Sequence, residues 1–344
     1  MFDLATVSLA FAHGVPPVQG TIRATAEDFQ VREIPLLDPD GAGEHAWVHV
    51  QKRNATTITV AEQLARHADV HPRNVSFAGL KDRNAVTEQW FSVHLPGRDD
   101  PDWQALASDE LVVLRHARHS RKLQRGALRG NDFRIVVRNL AGDRDACEAR
   151  LAVMAAAGVP NYFGEQRFGR NGSNLRTAER LFANPRLRLS RNQRSMALSS
   201  ARSLLFNRVL SGRIDAGCWD TPVAGDAMQL AGSHSFFIAE TIDDELLQRV
   251  RMLDVHPTGP LCGRGNVPVT AACLAIEESV LAGFQDMTRG LDAAGVRNDR
   301  RSLRLPVGSL AWQWLTGSEL ELNFSLPAGS YATSVLRELV DTRT

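Results

Sequence analysis

The sequence predicts an α+β protein in which strand-rich ends flank a helix-rich middle. Three observations predict it. Apolar and polar residues alternate with the period of half-buried strands through much of the first 140 residues, and again after residue 301. Between these regions the apolar spacing turns helical over long stretches. A chain of 344 residues with 43% apolar content accommodates one large domain or two ordinary ones. The economical arrangement is one mixed domain built from both ends and interrupted by a second.

In chain order, TIRATAEDFQVREI at 21–34 alternates through Phe29, Val31 and Ile34 and reads as a strand, with HAWVHVQK at 45–52 as its partner. Asn54 or Thr56 caps a helix through VAEQLARHA. VSFAGL at 75–80 enters a turn that TEQWFSVHL at 87–95 leaves as a strand. ELVVLRHARHS and NDFRIVVRNL are further strands, joined by RKLQRGALRG at 121–130. Residues 142–157 read as a helix stopped by Gly158 and Pro160, and NYFGEQRFGRNGSN at 161–174 as a loop. LRTAERLFA and RNQRSMALSSARSLLFNRVLSG read as helices. Residues 215–268 are irregular with short strands, and a helix lies near 276–289. Strands return in RSLRLPVGSLAWQWL, whose Trp312 and Trp314 read as core, and in ELELNFSLP. A helix over AGSYATSVLRELVD ends the chain.

No run of 18 uncharged apolar residues appears, so no membrane span is predicted. The first residues lack a basic segment and carry Asp3, which argues against a signal peptide. Cys147, Cys218, Cys262 and Cys273 form no C-x-x-C pair, and no histidine stands at zinc-finger spacing. Reduced thiols and a cytoplasmic location are expected. Phosphate-loop, dinucleotide, zinc-protease and serine-hydrolase motifs are all missing, so no cofactor and no metal are expected.

The net charge of +1 conceals segregation. Between Leu111 and Asn131 stand Arg115, Arg118, Arg121, Lys122, Arg125 and Arg129 without one acid. From Gln166 to Arg202 there are nine arginines and a single acid, Glu179. Arginine standing in for lysine through genome composition accounts for the scarcity of lysine, but not for the missing acids. A basic face for a polyanion accounts for both.

One turn stands out. FAGLKDRNAVTEQWFSV at 77–93 places Asp82 between Lys81 and Arg83. An aspartate after a glycine is commonly a surface turn or a cap. Here cations that would keep it ionised flank it, and β-rich runs bracket it on both sides.

GLKDRNAVT at 79–87 resembles the signature of the TruD family of RNA pseudouridine synthases. Five further blocks resemble that family in the same order: ATAEDFQVREI at 24–34, RGNDFRI at 129–135, NYFGEQRFG at 161–169, HPTGPLCG at 256–263 and LPAGSYATSVLREL at 326–339. Together they span nearly the whole chain, at a length similar to bacterial members.

The resemblance implies a pseudouridine-synthase catalytic domain over 1–152 and 303–344, with an antiparallel or mixed sheet and helices, and an inserted α+β domain over 153–302. It implies isomerisation of uridine in RNA, at uridine 13 of tRNA in the bacterial branch, with no cofactor and no obligatory protein partner. Asp82 is then the catalytic aspartate, and Arg23 the basic residue that holds and ionises it, at a place where family members often have lysine. Phe133 stacks on the extruded base, and Asn131 shares its strand face. Lys81, Arg83, Arg121, Arg125 and Arg167 are candidate RNA contacts. Glu165, Gln166, Arg167 and Phe168 read either as an RNA-contact loop or as a brace at a domain junction. The rival classes are a non-catalytic RNA-binding or RNA-chaperone protein, which would not need Asp82, and a metal-dependent nuclease, for which the sequence offers no ligand cluster.

Overall fold

A computed structural model describes residues 8–342, so the reading of Asp3 and the start of the chain lies outside the described residues. The chain divides into two compact units. One holds Pro17–Arg144, Val307–Gly329 and the chain from Val340. The other holds the residues up to Pro16, Asp145–Pro306 and Ser330–Leu339.

The first unit opens with β1 (Val18–Ile22), β2 (Phe29–Pro35), β3 (His45–Arg53), α1 (Thr57–His67), β4 (Val75–Phe77), β5 (Val86–His94), β6 (Leu111–His119) and β7 (Leu128–Gly142). The single strand expected over 21–34 is two strands. After β1, Arg23 takes a left-handed φ of 59°, and a 3-10 turn over Ala26–Asp28 redirects the chain into β2. The Thr25 N–H donates to Asp28 Oδ2 at 2.9 Å, and Arg138 of β7 pairs with Asp28 at 2.8 Å. Helix α1 begins where Thr56 Oγ1 accepts from the Thr59 N–H at 3.1 Å. Its Val60, Ala61, Leu64 and Ala65 pack on the apolar face of β3 and β5, with Trp103 in the same core.

The middle of the chain runs through α2 (Arg144–Ala157), β8 (Val159–Pro160), α3 (Ser173–Ala183), α4 (Arg191–Asp215), β9 (Asp226–Leu230), β10 (Phe236–Ala239), α5 (Asp244–Arg251), β11 (Val255–Leu261), α6 (Ala271–Leu281), α7 (Gln285–Ala293), β12 (Asp299–Ser302) and β13 (Arg304–Leu305). Helices α3, α4 and α7 enclose a core around Leu175, Leu204, Phe206 and Met287. A four-stranded sheet runs β10-β9-β11-β12, and β13 pairs with β8. The helix expected near 276–289 is two, α6 and α7. Helix α5 falls in the region read as irregular; Asp243 caps it by accepting from the Leu246 N–H at 2.8 Å.

The chain closes with β14 (Gly308–Thr316), β15 (Glu319–Pro327), α8 (Ala332–Leu339) and β16 (Val340–Thr342). The sheet of the first unit runs β14-β15-β7-β2-β5-β3-β6, with β4 on β5 and β1 between β7 and β16. Strand β15 lies antiparallel to β7 with Phe324 opposite Phe133, so the late strands complete the sheet begun by the early ones. The division falls near 145 and 306 rather than at 153 and 302, and α8 goes with the middle of the chain. The reason is the packing of α8: it buries Val335, Leu336 and Leu339, and Ser334 Oγ donates to Tyr162 O at 2.9 Å. Trp312 and Trp314 are half-buried on the edge strand β14 rather than core, and the Arg144 guanidinium lies 4.4 Å from the Trp314 ring centre. No helix among the described residues is long and apolar enough to cross a membrane.

Candidate active site

The link between β4 and β5 carries Asp82, and side chains from three other elements hold its backbone. Gln89 Nε2 donates to Gly79 O at 3.1 Å, and Gln89 Oε1 accepts from Thr57 Oγ1 at 2.9 Å. That threonine oxygen in turn accepts from the Lys81 N–H at 2.9 Å. Lys52 Nζ, from the end of β3, donates to Asp82 O at 2.7 Å and to Ala55 O at 2.8 Å. The turn is therefore fixed whatever its carboxylate does.

That carboxylate is one-third exposed and pairs with one cation: Arg23 Nη2 donates to Asp82 Oδ2 at 2.8 Å. Arg23 reaches it from the left-handed backbone at the end of β1, a conformation that costs a non-glycine residue about 1 kcal/mol. Its guanidinium also lies over the Phe29 ring, 4.0 Å from the centre. Phe29 meets Phe133 edge-on with centres 6.3 Å apart, and Phe133 stacks on Phe324 at 5.2 Å. An aromatic row thus runs from the cation that holds Asp82 into the sheet. Phe133 is only 8% exposed, so it is a member of the core as well as a candidate platform for a base. Beside it, Gly130 lets β7 pass β15, since a Cβ there would collide with Leu326 O.

The cations that flank Asp82 in sequence do not attend to it. Lys81 turns inward: its Nζ stands 3.0 Å from Glu33 Oε2 and donates to Asn131 Oδ1, and its side chain is 6% exposed. Glu33 of β2 lies directly opposite Asn131 of β7 in register, and its Oε1 accepts from the Trp90 N–H at 3.3 Å. Lys81 is thus an ammonium held by a carboxylate and an amide beneath the turn. Arg83 points the other way, exposed, with Nε 3.5 Å from Asn54 O.

Arg121 and Arg125 are exposed on the link between β6 and β7. That link is tied to the segment entering the Asp82 turn. The Gly126 N–H donates to Ala78 O at 2.8 Å, Trp47 Nε1 donates to Arg121 O at 3.0 Å, and the Arg125 guanidinium lies 4.3 Å from the Phe77 ring centre. Arg167 belongs to the other unit. There it donates to the Tyr331 hydroxyl at 2.5 Å and to Ser199 Oγ at 3.3 Å, while Phe168 is buried. Within its unit, Phe168 anchors the 165–168 segment, while Glu165 and Gln166 are exposed.

Sequence reasoning missed Lys52, Glu33, Gln89, Thr57 and Phe324. A signal was present for three of them. Lys52 is in phase with the buried Ala46, Val48 and Val50, Glu33 with Phe29 and Val31, and Gln89 with Phe91 and Val93. A polar residue on the inward phase of a strand must find a partner. Burial pushes the Lys52 ammonium down to about 8, against the opposing pull of the Asp82 charge. Among the described residues no group of three or more His, Cys, Asp or Glu comes together that could hold a metal ion.

The family model for tRNA pseudouridine synthase D (TruD) matches residues 8–181 and 173–339. A tRNA pseudouridine synthase D of Methylococcus capsulatus is 53% identical over 330 residues, covering 96% of this chain and 93% of the relative. That of Nitrosococcus oceani is 49% identical over 337 residues, covering 97% and 94%. A solved Methanosarcina mazei chain carrying the same TruD description superimposes with a TM-score of 0.73 at 24% identity, over 96% of this chain and 95% of that one. At that identity the likeness speaks for the fold alone.

Proposed function

This chain belongs to the TruD family of tRNA pseudouridine synthases, and from that premise we propose that it isomerises uridine 13 of tRNA with Asp82 as the catalytic carboxylate. Uridine-to-pseudouridine isomerisation in tRNA is the reaction to be explained. The glycosidic bond from ribose C1′ to uracil N1 breaks, the ring turns, and a bond from C1′ to C5 forms. N1 gains a proton and the C5 proton is lost, so atoms balance with no other reactant. The observation that carries the assignment is the Arg23–Asp82 pair at 2.8 Å, on a turn whose backbone is held independently of its carboxylate.

Each residue has a task. Asp82, paired with Arg23, serves as nucleophile or base toward the ribosyl or uracil unit. A uridine stacked within folded RNA must be extruded before the carboxylate can reach it. Phe133, backed by Phe324, offers the flipped ring a face to stack on. Lys81 occupies Asn131 Oδ1, which leaves the amide NH2 as the group Asn131 can offer to a uracil carbonyl. The exposed Arg121 and Arg125 supply charge for the phosphate backbone, and the enzyme works in the cytoplasm, where its tRNA substrate is.

Replacing Arg121 and Arg125 by Glu should weaken binding of every tRNA alike. It should also flatten the dependence of log affinity on log salt, by about one unit for each phosphate no longer neutralised. Filter retention between low and moderate salt measures this. An unchanged affinity and slope would remove these arginines from the RNA interface.

A further inference from the structure

We propose that Lys52 is a positioning residue for Asp82: its buried ammonium clips the backbone carbonyl of Asp82 to that of Ala55 and so sets where the carboxylate stands. The proposal rests on the reading of Asp82 as the catalytic carboxylate. Lys52, next to last in β3, has no exposed surface and hydrogen-bonds two main-chain carbonyls, at 2.7 and 2.8 Å, rather than a carboxylate. A buried cation with no ion-pair partner among the described residues is costly to keep, and a donor that served only the fold could be neutral. Two features give the charge a use. Charge-assisted hydrogen bonds to carbonyls are shorter and stiffer than neutral ones, and one of these ends on the residue whose side chain faces the substrate. The positive charge is also matched by the negative charge of the Asp82 carboxylate, which favours the charged form of Lys52.

The surroundings define what titrates. From the turn, Asp82 favours the charged form of Lys52 and Lys81 opposes it. Arg83, on the same turn, has its Nε near Asn54 O, and Arg23 takes the Asp82 carboxylate. Strands β5 and β6 place the neutral Thr87 and Leu111 in register with Lys52. Glu27, Arg53, Asp109 and Glu110 line the cleft beside it. Burial outweighs these charges and brings the ammonium down to about 8, so Lys52 loses its proton within the alkaline working range. The sign for stability runs opposite to that for activity. The folded-state value lies below the unfolded one, so this group's contribution to stability rises between about pH 8 and the ordinary lysine value. An activity loss there runs against the change in stability that Lys52 itself contributes.

The test is single-turnover release of tritium from tRNA labelled at uridine C5, at saturating full-length enzyme. It compares wild type, Lys52→Met, Lys52→Gln and Asp82→Asn across neutral to alkaline pH, with filter retention and circular dichroism in parallel. Wild type should lose rate through one ionisation near pH 8. Lys52→Met should lower the neutral-pH rate roughly tenfold, the equivalent of one charge-assisted hydrogen bond, with tRNA affinity unchanged and the alkaline limb gone. Lys52→Gln keeps a donor without the charge; it should fall between the two and also lack the limb. Lys52→Met turning over within twofold of wild type would overturn the proposal. If Lys52→Met does not fold, a flat wild-type profile, or a limb that persists in Lys52→Gln, overturns it instead. An active Asp82→Asn would remove the Asp82 reading itself, whereas an inert Asp82→Asn beside a fully active Lys52→Met would sink the Lys52 proposal alone.

Discussion

Asp82→Asn should abolish turnover while leaving the fold and tRNA binding in place. The backbone of the turn is held by Lys52, Thr57 and Gln89, none of which touches the carboxylate group. The ion pair it removes, Arg23 with Asp82, is partly exposed on both sides, so its removal costs at most about 1 kcal/mol of stability. Asparagine keeps an oxygen that can accept from Arg23 but has neither charge nor basicity. A nucleophile or base so replaced forfeits about 4 kcal/mol or more of transition-state stabilisation, roughly a thousandfold in rate. Tritium release under single-turnover conditions, beside a binding isotherm, separates the two effects. A variant that turns over within tenfold of wild type would return Asp82 to an ordinary turn residue.

Phe133 should show two effects at once, because it is buried and also offered to the base. Phe133→Ala removes a ring packed against Phe324 and Phe29, and such truncations cost about 3–5 kcal/mol. For a protein of this size that corresponds to a melting temperature lower by roughly 4–7 °C. Phe133→Leu keeps most of the apolar volume and should cost about 1 kcal/mol, yet it gives up the stacking face, worth roughly 1–3 kcal/mol per base. The leucine variant should therefore melt close to wild type and turn over at least about fivefold more slowly, with Asp82-dependent chemistry intact. A leucine variant as fast as wild type would make Phe133 a core residue only.

Much of the fold is legible because one face of each strand is buried. The alternation through Val48 and Val50 and through Phe91 and Val93 places β3 and β5, and ELELNFSLP carries the same mark at β15. The break at Arg23 is not legible, since the apolar phase continues past it and a left-handed arginine leaves no trace in composition. Helix α5 is hidden in a stretch whose Gly, Pro and short apolar runs read as irregular, until Asp243 is seen to accept from Leu246. Helix α8 follows the last strands in sequence, but its buried face belongs with Tyr162, a long-range match that no local pattern encodes.

The site is legible in the same measure. The pairing of Arg23 with Asp82, expected from the resemblance, is present at 2.8 Å. The inward direction of Lys81 is not legible, because neighbours on a tight turn point in different directions, and only the β2–β7 register shows that Glu33 and Asn131 stand where its ammonium reaches.

The most direct measurement of the central claim is pseudouridine mapping at position 13 of tRNA from cells that lack this protein, complemented with wild type or with Asp82→Asn. The modification should vanish without the protein, return with wild type, and stay absent with the variant expressed and folded. Pseudouridine 13 that persists without the protein, or that Asp82→Asn restores, would contradict the assignment.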